Sequence, residues 1–190
     1  MTKSPNNDSR WKEMWDARLA ALVSELGETD GRVLHAPVPF HCGGFADVVR
    51  FPKHVSGCVS ATCELLGESA QKKNQLGTFE LMIAHRDDSD WGPRVISRLA
   101  RYTCDAVIEP GHTLDLGGSV PKGSTIAAFF FADYRRFQFE GENAGLLLCI
   151  GITADEVALA RSRKQQKLFD ALKAANVYPF TDLVRPSVLS

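Results

Sequence analysis

The stretch Leu146-Leu147-Leu148-Cys149-Ile150-Gly151-Ile152-Thr153-Ala154-Asp155-Glu156 decides how this chain folds. Leu146 to Ile152 is apolar at consecutive positions, so an extended strand there has two greasy faces, which predicts a central place in a sheet covered on both sides. Thr153 and Glu156 then stand three residues apart, the spacing in which a hydroxyl and a carboxylate reciprocally satisfy free N–H groups at a helix start. The helix is predicted from about Ala154 to Ala175. Its buried stripe is Val157, Ala160, Leu168, Ala171, Leu172 and Ala175, and the polar run Arg161-Ser162-Arg163-Lys164-Gln165-Gln166-Lys167 forms its middle. A doubly buried strand feeding an amphipathic helix implies layers of α and β structure around one core.

Working outward, Thr125 to Ala132 reads as the preceding strand. Val48, Val49 and Phe51, then Val59 to Thr62, then Thr78 to Ala84 read as a meander. Gly31 to Phe40, with Pro37 and Pro39, suggests an irregular connection or an edge strand. Thr113 to Leu116 alternates as a half-buried strand, and Gly67 to Gly77 reads as a solvated loop. Val95, Leu99, Tyr102 and Ala106 recur at helical spacing, predicting a helix over Trp91 to Ala106 after an acidic turn. Trp11, Trp15, Leu19, Leu22, Val23 and Leu26 predict another over Trp11 to Leu26, with Ser9 as its N-cap, Gly27 as its stop and both tryptophans as core anchors. The tail from Pro179 to Ser190 is expected to be extended.

The chain has 190 residues, 44% of them hydrophobic, with 22 Lys plus Arg against 23 Asp plus Glu. That length supplies a substantial core without disulfides or a structural metal. A net charge of −1 removes the global field of a nucleic-acid binder. The five cysteines contain no CxxC pair, and Cys149 sits inside an apolar run, so they read as buried free thiols and not as metal ligands. Gly118 and Gly123 have phosphate-loop spacing, but position 124 is Ser where that loop requires Lys. GxGxxG, GxSxG and HExxH are absent, and no cofactor is implied. The polar N-terminus has no signal-like apolar run, and no segment approaches the roughly 20 apolar residues of a membrane span. Reduced thiols without signal or anchor indicate the cytoplasm.

Two surface segments carry the residue types of protein recognition. Tyr134, Arg135 and Arg136 combine an aromatic with guanidinium groups, the composition of binding hot spots. Asp87, Asp88 and Asp90 form an acidic loop that reads as a polar turn before a helix and a second contact candidate; it lacks the Gly and Glu of a calcium loop. A competing reading, a small hydrolase or ligand-binding protein, would use His112 with Glu80 or Glu109 as an acid–base pair; an inward Glu80 would have a raised pKa, but strand alternation favours an outward or salt-bridged side chain. A purely structural subunit is a third.

A family resemblance adds to these readings. Ala46-Asp47-Val48-Val49-Arg50-Phe51-Pro52, Val59-Ser60-Ala61-Thr62, Phe79-Glu80-Leu81-Met82, Leu99-Ala100-Arg101-Tyr102 and Glu109-Pro110-Gly111-His112-Thr113 occur in the order and spacing of the suppressor of fused domain family. Leu148 to Glu156 and Thr181-Asp182-Leu183-Val184-Arg185-Pro186-Ser187-Val188 continue the agreement. The resemblance implies an α/β fold of the α+β sandwich kind, a mixed β-sheet flanked by amphipathic helices. Residues 1–30 would be a polar lead and a helix packing on a domain of residues 31–190. It marks Asp47, Phe79, Glu80, Leu99, Tyr102, Gly111, His112, Arg185 and Pro186 as family positions. It implies a non-catalytic, cytosolic protein-binding module, since bacterial members are proposed to neutralise cognate toxins in polymorphic toxin systems. The animal relative binds a transcription factor between two lobes, and this chain resembles its N-terminal lobe alone. After Thr62 the family commonly runs toward Gly-Met-Ser, where this chain has Cys63-Glu64-Leu65-Leu66.

Overall fold

Two of the most apolar segments pair side by side in the middle of the sheet. The computed structural model describes residues 5–189, and side chains from Arg10 onward. In chain order the elements are α1 (Pro5–Leu26), β1 (Val33–Leu34), β2 (Val48–Phe51), β3 (Cys58–Thr62), β4 (Thr78–His85), α2 (Trp91–Tyr102), β5 (Thr113–Asp115), β6 (Ile126–Phe139), β7 (Glu142–Thr153), α3 (Ala154–Arg161) and α4 (Gln165–Ala174). The strands form one sheet in the order β1-β2-β3-β4-β7-β6-β5. Among the described residues β4 and β7 are parallel and the other named pairs antiparallel, so the sheet is mixed.

Strand alternation divides the core in two. On one face Leu146, Leu148, Ile150 and Ile152 of β7 meet Leu22 and Leu26 of α1, Val157 and Ala160 of α3, and Leu168 and Leu172 of α4. On the other, Leu147 and Cys149 join Phe79, Leu81 and Ile83 of β4, Phe129 and Phe131 of β6, and Ile96, Leu99 and Ala100 of α2. β7 is buried continuously from Ala144 to Thr153, as its apolar run predicts. Its capping box is present too.

Several local expectations change. The predicted long third helix is two, because Arg163 turns into the left-handed region at φ 62°. The polar run Arg161 to Lys167 has no apolar side chain to hold one straight helix on the sheet, and the break lets Val157 and Leu168 reach the same cluster. Ala175 is left exposed. α1 begins at Pro5, so Ser9 lies inside it and is not its cap, while Gly27 ends it at φ 84° as predicted. Trp11 is 39% exposed and stacks on Trp15 without entering the core. α2 stops at Tyr102, where the Thr103 hydroxyl donates to the Ala100 carbonyl at 2.7 Å.

The loop 67–77 is not merely solvated. β3 ends at Thr62, leaving Phe79 of β4 without a neighbouring strand on that side. The buried Gln71 side chain takes its place, donating to the Phe79 carbonyl at 2.8 Å and accepting the Phe79 N–H at 3.0 Å. The segment Asp133 to Gly145 is a hairpin, in which Glu140 and Gly141 at φ 50° and 82° make the two-residue turn between β6 and β7. Both dihedrals match the primed turn that suits twisted strands.

The tail works as a wedge. β4 and β7 pair only from Thr78 with Ala144 to Met82 with Leu148. Beyond that register, the Thr181 N–H donates to the Ala84 carbonyl at 2.7 Å, and its hydroxyl accepts the Gly151 N–H at 2.8 Å.

Candidate functional site

The connection from β1 to β2 folds back over α2. The Ala46 N–H donates to the Ser97 carbonyl at 3.1 Å, and the Ser97 hydroxyl donates to the Ala46 carbonyl at 2.6 Å. This clamp lays Phe45 beside Arg98, with the guanidinium 6.0 Å from the ring centroid, and Phe40 beneath Arg101 at 5.3 Å. Arg94, Arg98, Arg101 and Tyr102 recur at helical spacing on the solvent side of α2. Val38, Phe45 and Tyr102 remain 49%, 43% and 45% exposed, which sets this surface apart from an ordinary polar helix face.

At the N-terminal end of α2 the surface continues into a groove of about 260 Å³, floored by Leu34, Val48 and Ser60 and rimmed by Arg50, Asp88 and Pro93. Asp88 accepts from Arg50 and from Arg32, the latter at 3.2 Å. The Arg50 hydrogen bond, reinforced by Arg32, holds the Asp88 carboxyl below its usual range. Asp90 lies 3.8 Å from Arg94, and Asp87 is exposed in the same turn. The predicted acidic loop thus borders the groove, with Asp88 and Asp90 each facing an arginine.

Tyr134, Arg135 and Arg136 are not assembled with it. A register shift between Asp133 and Arg135 makes Tyr134 the extra residue of a bulge. Tyr134 packs on the opposite core, its hydroxyl 2.7 Å from His54 Nε2 and its ring near Tyr178. Arg135 stands across from Leu146 on that same face, 3.6 Å from Glu25 of α1. Arg136 turns the other way, donating to Asp133 at 2.6 Å beside a recess of about 240 Å³ at the hairpin.

Glu80 is fully buried on the α1 side of β4. It accepts the Thr62 hydroxyl at 2.5 Å and the N–H groups of Leu65 and Leu66 at 2.7 and 2.9 Å. The side chain points inward, contrary to the outward or salt-bridged position expected of it, and burial pushes its pKa up. Glu64 stands in the same network, accepting the Asp47 N–H at 2.9 Å, and burial raises it to about 7. Asp47 in turn lies 2.7 Å from His35 Nδ1 and accepts the Ala36 N–H at 2.8 Å. Arg18 of α1 closes the roof by donating to the Leu66 carbonyl at 2.7 Å. Cys63 to Leu66, where the chain departs from the family pattern, therefore provides both backbone donors for Glu80.

Glu80 and His112 do not form an acid–base pair. β7 and β6 stand between β4 and β5, which His112 immediately precedes, so the two are separated by roughly 14 Å at strand spacing. His112 is exposed and accepts the Glu109 N–H at 3.3 Å in a local turn, so its link to Glu109 runs through the backbone. Of the other family positions, Phe79 and Leu99 are core and Gly111 takes φ 89° in that turn. Arg185 is buried and grips Glu156 with both terminal nitrogens, at 2.7 and 2.5 Å, and its Nη1 also donates to the Pro186 carbonyl at 3.0 Å.

Cys58, Cys63 and Cys149 are buried free thiols, but Cys42 is exposed and Cys104 half-buried. Cys42 lies at the surface of the β1–β2 connection, whereas Cys104, just after α2, packs against the second core with part of its surface open. Among the described residues no three His, Cys, Asp or Glu side chains are grouped to hold a metal, and no helix is long and apolar enough to cross a membrane.

Sequence reading missed Arg32, Phe45, Arg98 and Arg101. The helical spacing of the arginines was visible, but the apolar stripe alone was read; the return of Phe45 onto Arg98 is a tertiary contact without a local signal.

A family model described as "Suppressor of fused protein (SUFU)" matches residues 47–186. A chain of the Sufu–Fu complex crystal structure superposes with a TM-score of 0.69 at 12% identity, covering 94% of this chain and 91% of that one. A suppressor of fused homolog from Neisseria gonorrhoeae FA 1090 superposes at 0.67 with 14% identity, covering 93% and 97%. Drosophila Suppressor of Fused gives 0.69 at 12% identity, covering 93% of this chain and 50% of that protein. Comparison with curated protein sequences returns no match.

Proposed function

The chain belongs to the suppressor of fused family, and from that membership we propose that it is a non-catalytic, cytoplasmic protein-binding module, in its finer form an immunity-like protein that binds and neutralises a cognate bacterial toxin. The observation that carries the reading is the α2 surface, where exposed Phe45 and Tyr102 lie among arginines, with exposed Val38 in the same loop as Phe45. Aromatic and arginine side chains combine large contact area with directional hydrogen bonds, which is why they dominate protein interfaces. One relative of this fold is described in complex with Fu. In this reading residues 31–190 form the binding domain, residues 1–30 are an accessory lead and helix, and neither cofactor nor nucleic acid takes part.

The family positions then divide by role. Asp47, Phe79, Glu80, Leu99, Gly111, Arg185 and Pro186 hold the scaffold, Tyr102 contacts the partner, and His112 shapes its turn. Asp88 and Asp90 border the contact surface; Tyr134, Arg135 and Arg136 belong to separate surfaces.

The test is co-expression with the products of neighbouring genes, followed by co-purification and a growth assay. A stoichiometric complex that relieves growth arrest by one of those products supports the immunity form. A stable complex without relief supports binding alone, and absence of both contradicts the reading.

A further inference from the structure

We propose that the α2 face formed by Arg94, Arg98, Arg101, Tyr102, Phe45 and Val38 is a docking surface for an acidic, aromatic- or leucine-containing segment of another protein, an inference that rests on the protein-binding reading above.

The argument begins with charge. The protein as a whole is near neutral, yet three arginines line one side of a short helix. Asp90 is 3.8 Å from Arg94, and Asp105 and Glu68 bear on Cys104 beyond the C-terminal end. Arg98 faces the Phe45 ring, and Arg101 faces Phe40 while donating to its carbonyl at 3.4 Å. Carboxylates approaching from outside would supply the acceptors that Arg98 and Arg101 are shaped to take, with short, charge-assisted bonds.

The apolar component defines the rest of the occupant. Phe45 and Tyr102 expose large side chains beside those charges, and exposed Val38 adjoins Gly44 in the Phe45 loop. A partner segment therefore needs apolar side chains between its carboxylates. The rigid setting favours recognition, because the Ser97 and Ala46 hydrogen bonds fix the Phe45 backbone to α2 before any partner arrives.

A second copy of the chain fits poorly. In a two-fold contact the same patch meets itself, and arginines would then face arginines without acidic partners. A nucleic-acid strand would find positive charge and aromatics here as well, but it would also meet carboxylates at both ends of the patch: Asp90 beside Arg94, and Asp105, whose N–H bonds the Tyr102 carbonyl.

The test uses the full chain and a rhodamine-labelled, dozen-residue peptide of Asp, Glu, Leu and Tyr, read by fluorescence anisotropy. Its Lys-for-acid counterpart and a single-stranded RNA of equal length are compared. The wild-type chain should bind the acidic peptide most tightly. Arg98→Glu/Arg101→Glu should weaken that binding about tenfold or more, and Arg94→Glu/Arg98→Glu, which spares the Arg101 contact with Phe40, should do likewise. Phe45→Ala should weaken it too, whereas Lys122→Glu/Lys167→Glu, at exposed sites elsewhere, should change it less than about twofold. Circular dichroism and melting confirm that each variant is folded. Tighter binding of RNA, or equal loss in the control variant, overturns the proposal. Where a partner co-purifies with the wild-type chain, its undiminished retention by both arginine variants overturns this surface and leaves the protein-binding function standing. Absence of any partner on the wild-type chain counts against the function, and the peptide comparison still decides the preference of the surface.

Discussion

Arg185→Met removes the charge that pins the C-terminal tail to the start of α3. In the native protein Arg185 donates to Glu156 at 2.7 and 2.5 Å and to the Gly151 carbonyl at 3.0 Å, with both charged side chains almost completely buried. The variant leaves Glu156 buried with only the N–H groups of Thr153 and Val188 as donors. Breaking one side of a buried pair costs about 3–5 kcal/mol, because the orphaned charge keeps its desolvation penalty. In a chain of this size that corresponds to a fall of about 6–20 °C in Tm. Acid dependence sharpens the test. Burial opposes ionisation of Glu156, but the Arg185 hydrogen bonds and charge outweigh it and hold its pKa below the ordinary 4.5. The native state therefore binds fewer protons than the unfolded state, so this stabilisation is complete above pH 4.5 and is lost as pH falls through the folded value. Urea unfolding of the wild type, Arg185→Met, Glu156→Gln and the double variant should show strong coupling between the two positions and a flatter acid limb without Arg185. A loss below about 1 kcal/mol, or additive single effects, would refute the account of the tail as a load-carrying strap.

Glu64→Gln should act with the opposite pH slope. Burial raises Glu64 from 4.5 to about 7, so the native state retains a proton that the unfolded state has lost; wild-type stability should decline between those pH values and then level off. After allowance for partial solvent screening the decline is on the order of 1–2 kcal/mol, and urea midpoints at about pH 5 and about pH 8 should show it in the wild type and not in Glu64→Gln. Parallel declines would contradict the assignment. Gly92→Ala would place a Cβ 2.1 Å from His85 Nε2, while His85 is anchored by donating Nδ1–H to the Thr181 carbonyl at 2.9 Å. Despite the better helix propensity of alanine, a net loss of about 1–3 kcal/mol is expected in thermal unfolding, and an unchanged Tm would show that α2 shifts freely.

The legible part of the fold was the part encoded locally. Continuous apolarity from Leu146 to Ile152 placed β7 inside the sheet, and Thr153 with Glu156 marked the start of α3. The break at Arg163 escaped notice because it depends on how both flanking helices reach a shared core, not on a Gly or Pro in the sequence. Gln71 looked solvated because its partner, the Phe79 backbone, becomes available only when β3 ends early. Site residues follow the same division. Asp88 and Asp90 were identifiable as a polar turn, but the arginines that engage Asp88 come from 56 and 38 residues away. The grouping of Tyr134 with Arg136 failed at the bulge, which puts Tyr134 and Arg135 on one face and Arg136 on the other. Phe45 and Arg98 meet only through the fold-back held by Ser97 and Ala46.

The central claim, that this protein binds a partner through the α2 face, is tested most directly by hydroxyl-radical footprinting of the wild-type chain with and without a partner obtained by co-expression. Phe45 and Tyr102, exposed at 43% and 45%, should oxidise in the free protein and be protected in the complex, while Trp11, exposed at 39% on α1, should be oxidised equally in both. Protection of Trp11 with Phe45 and Tyr102 unchanged would contradict the account.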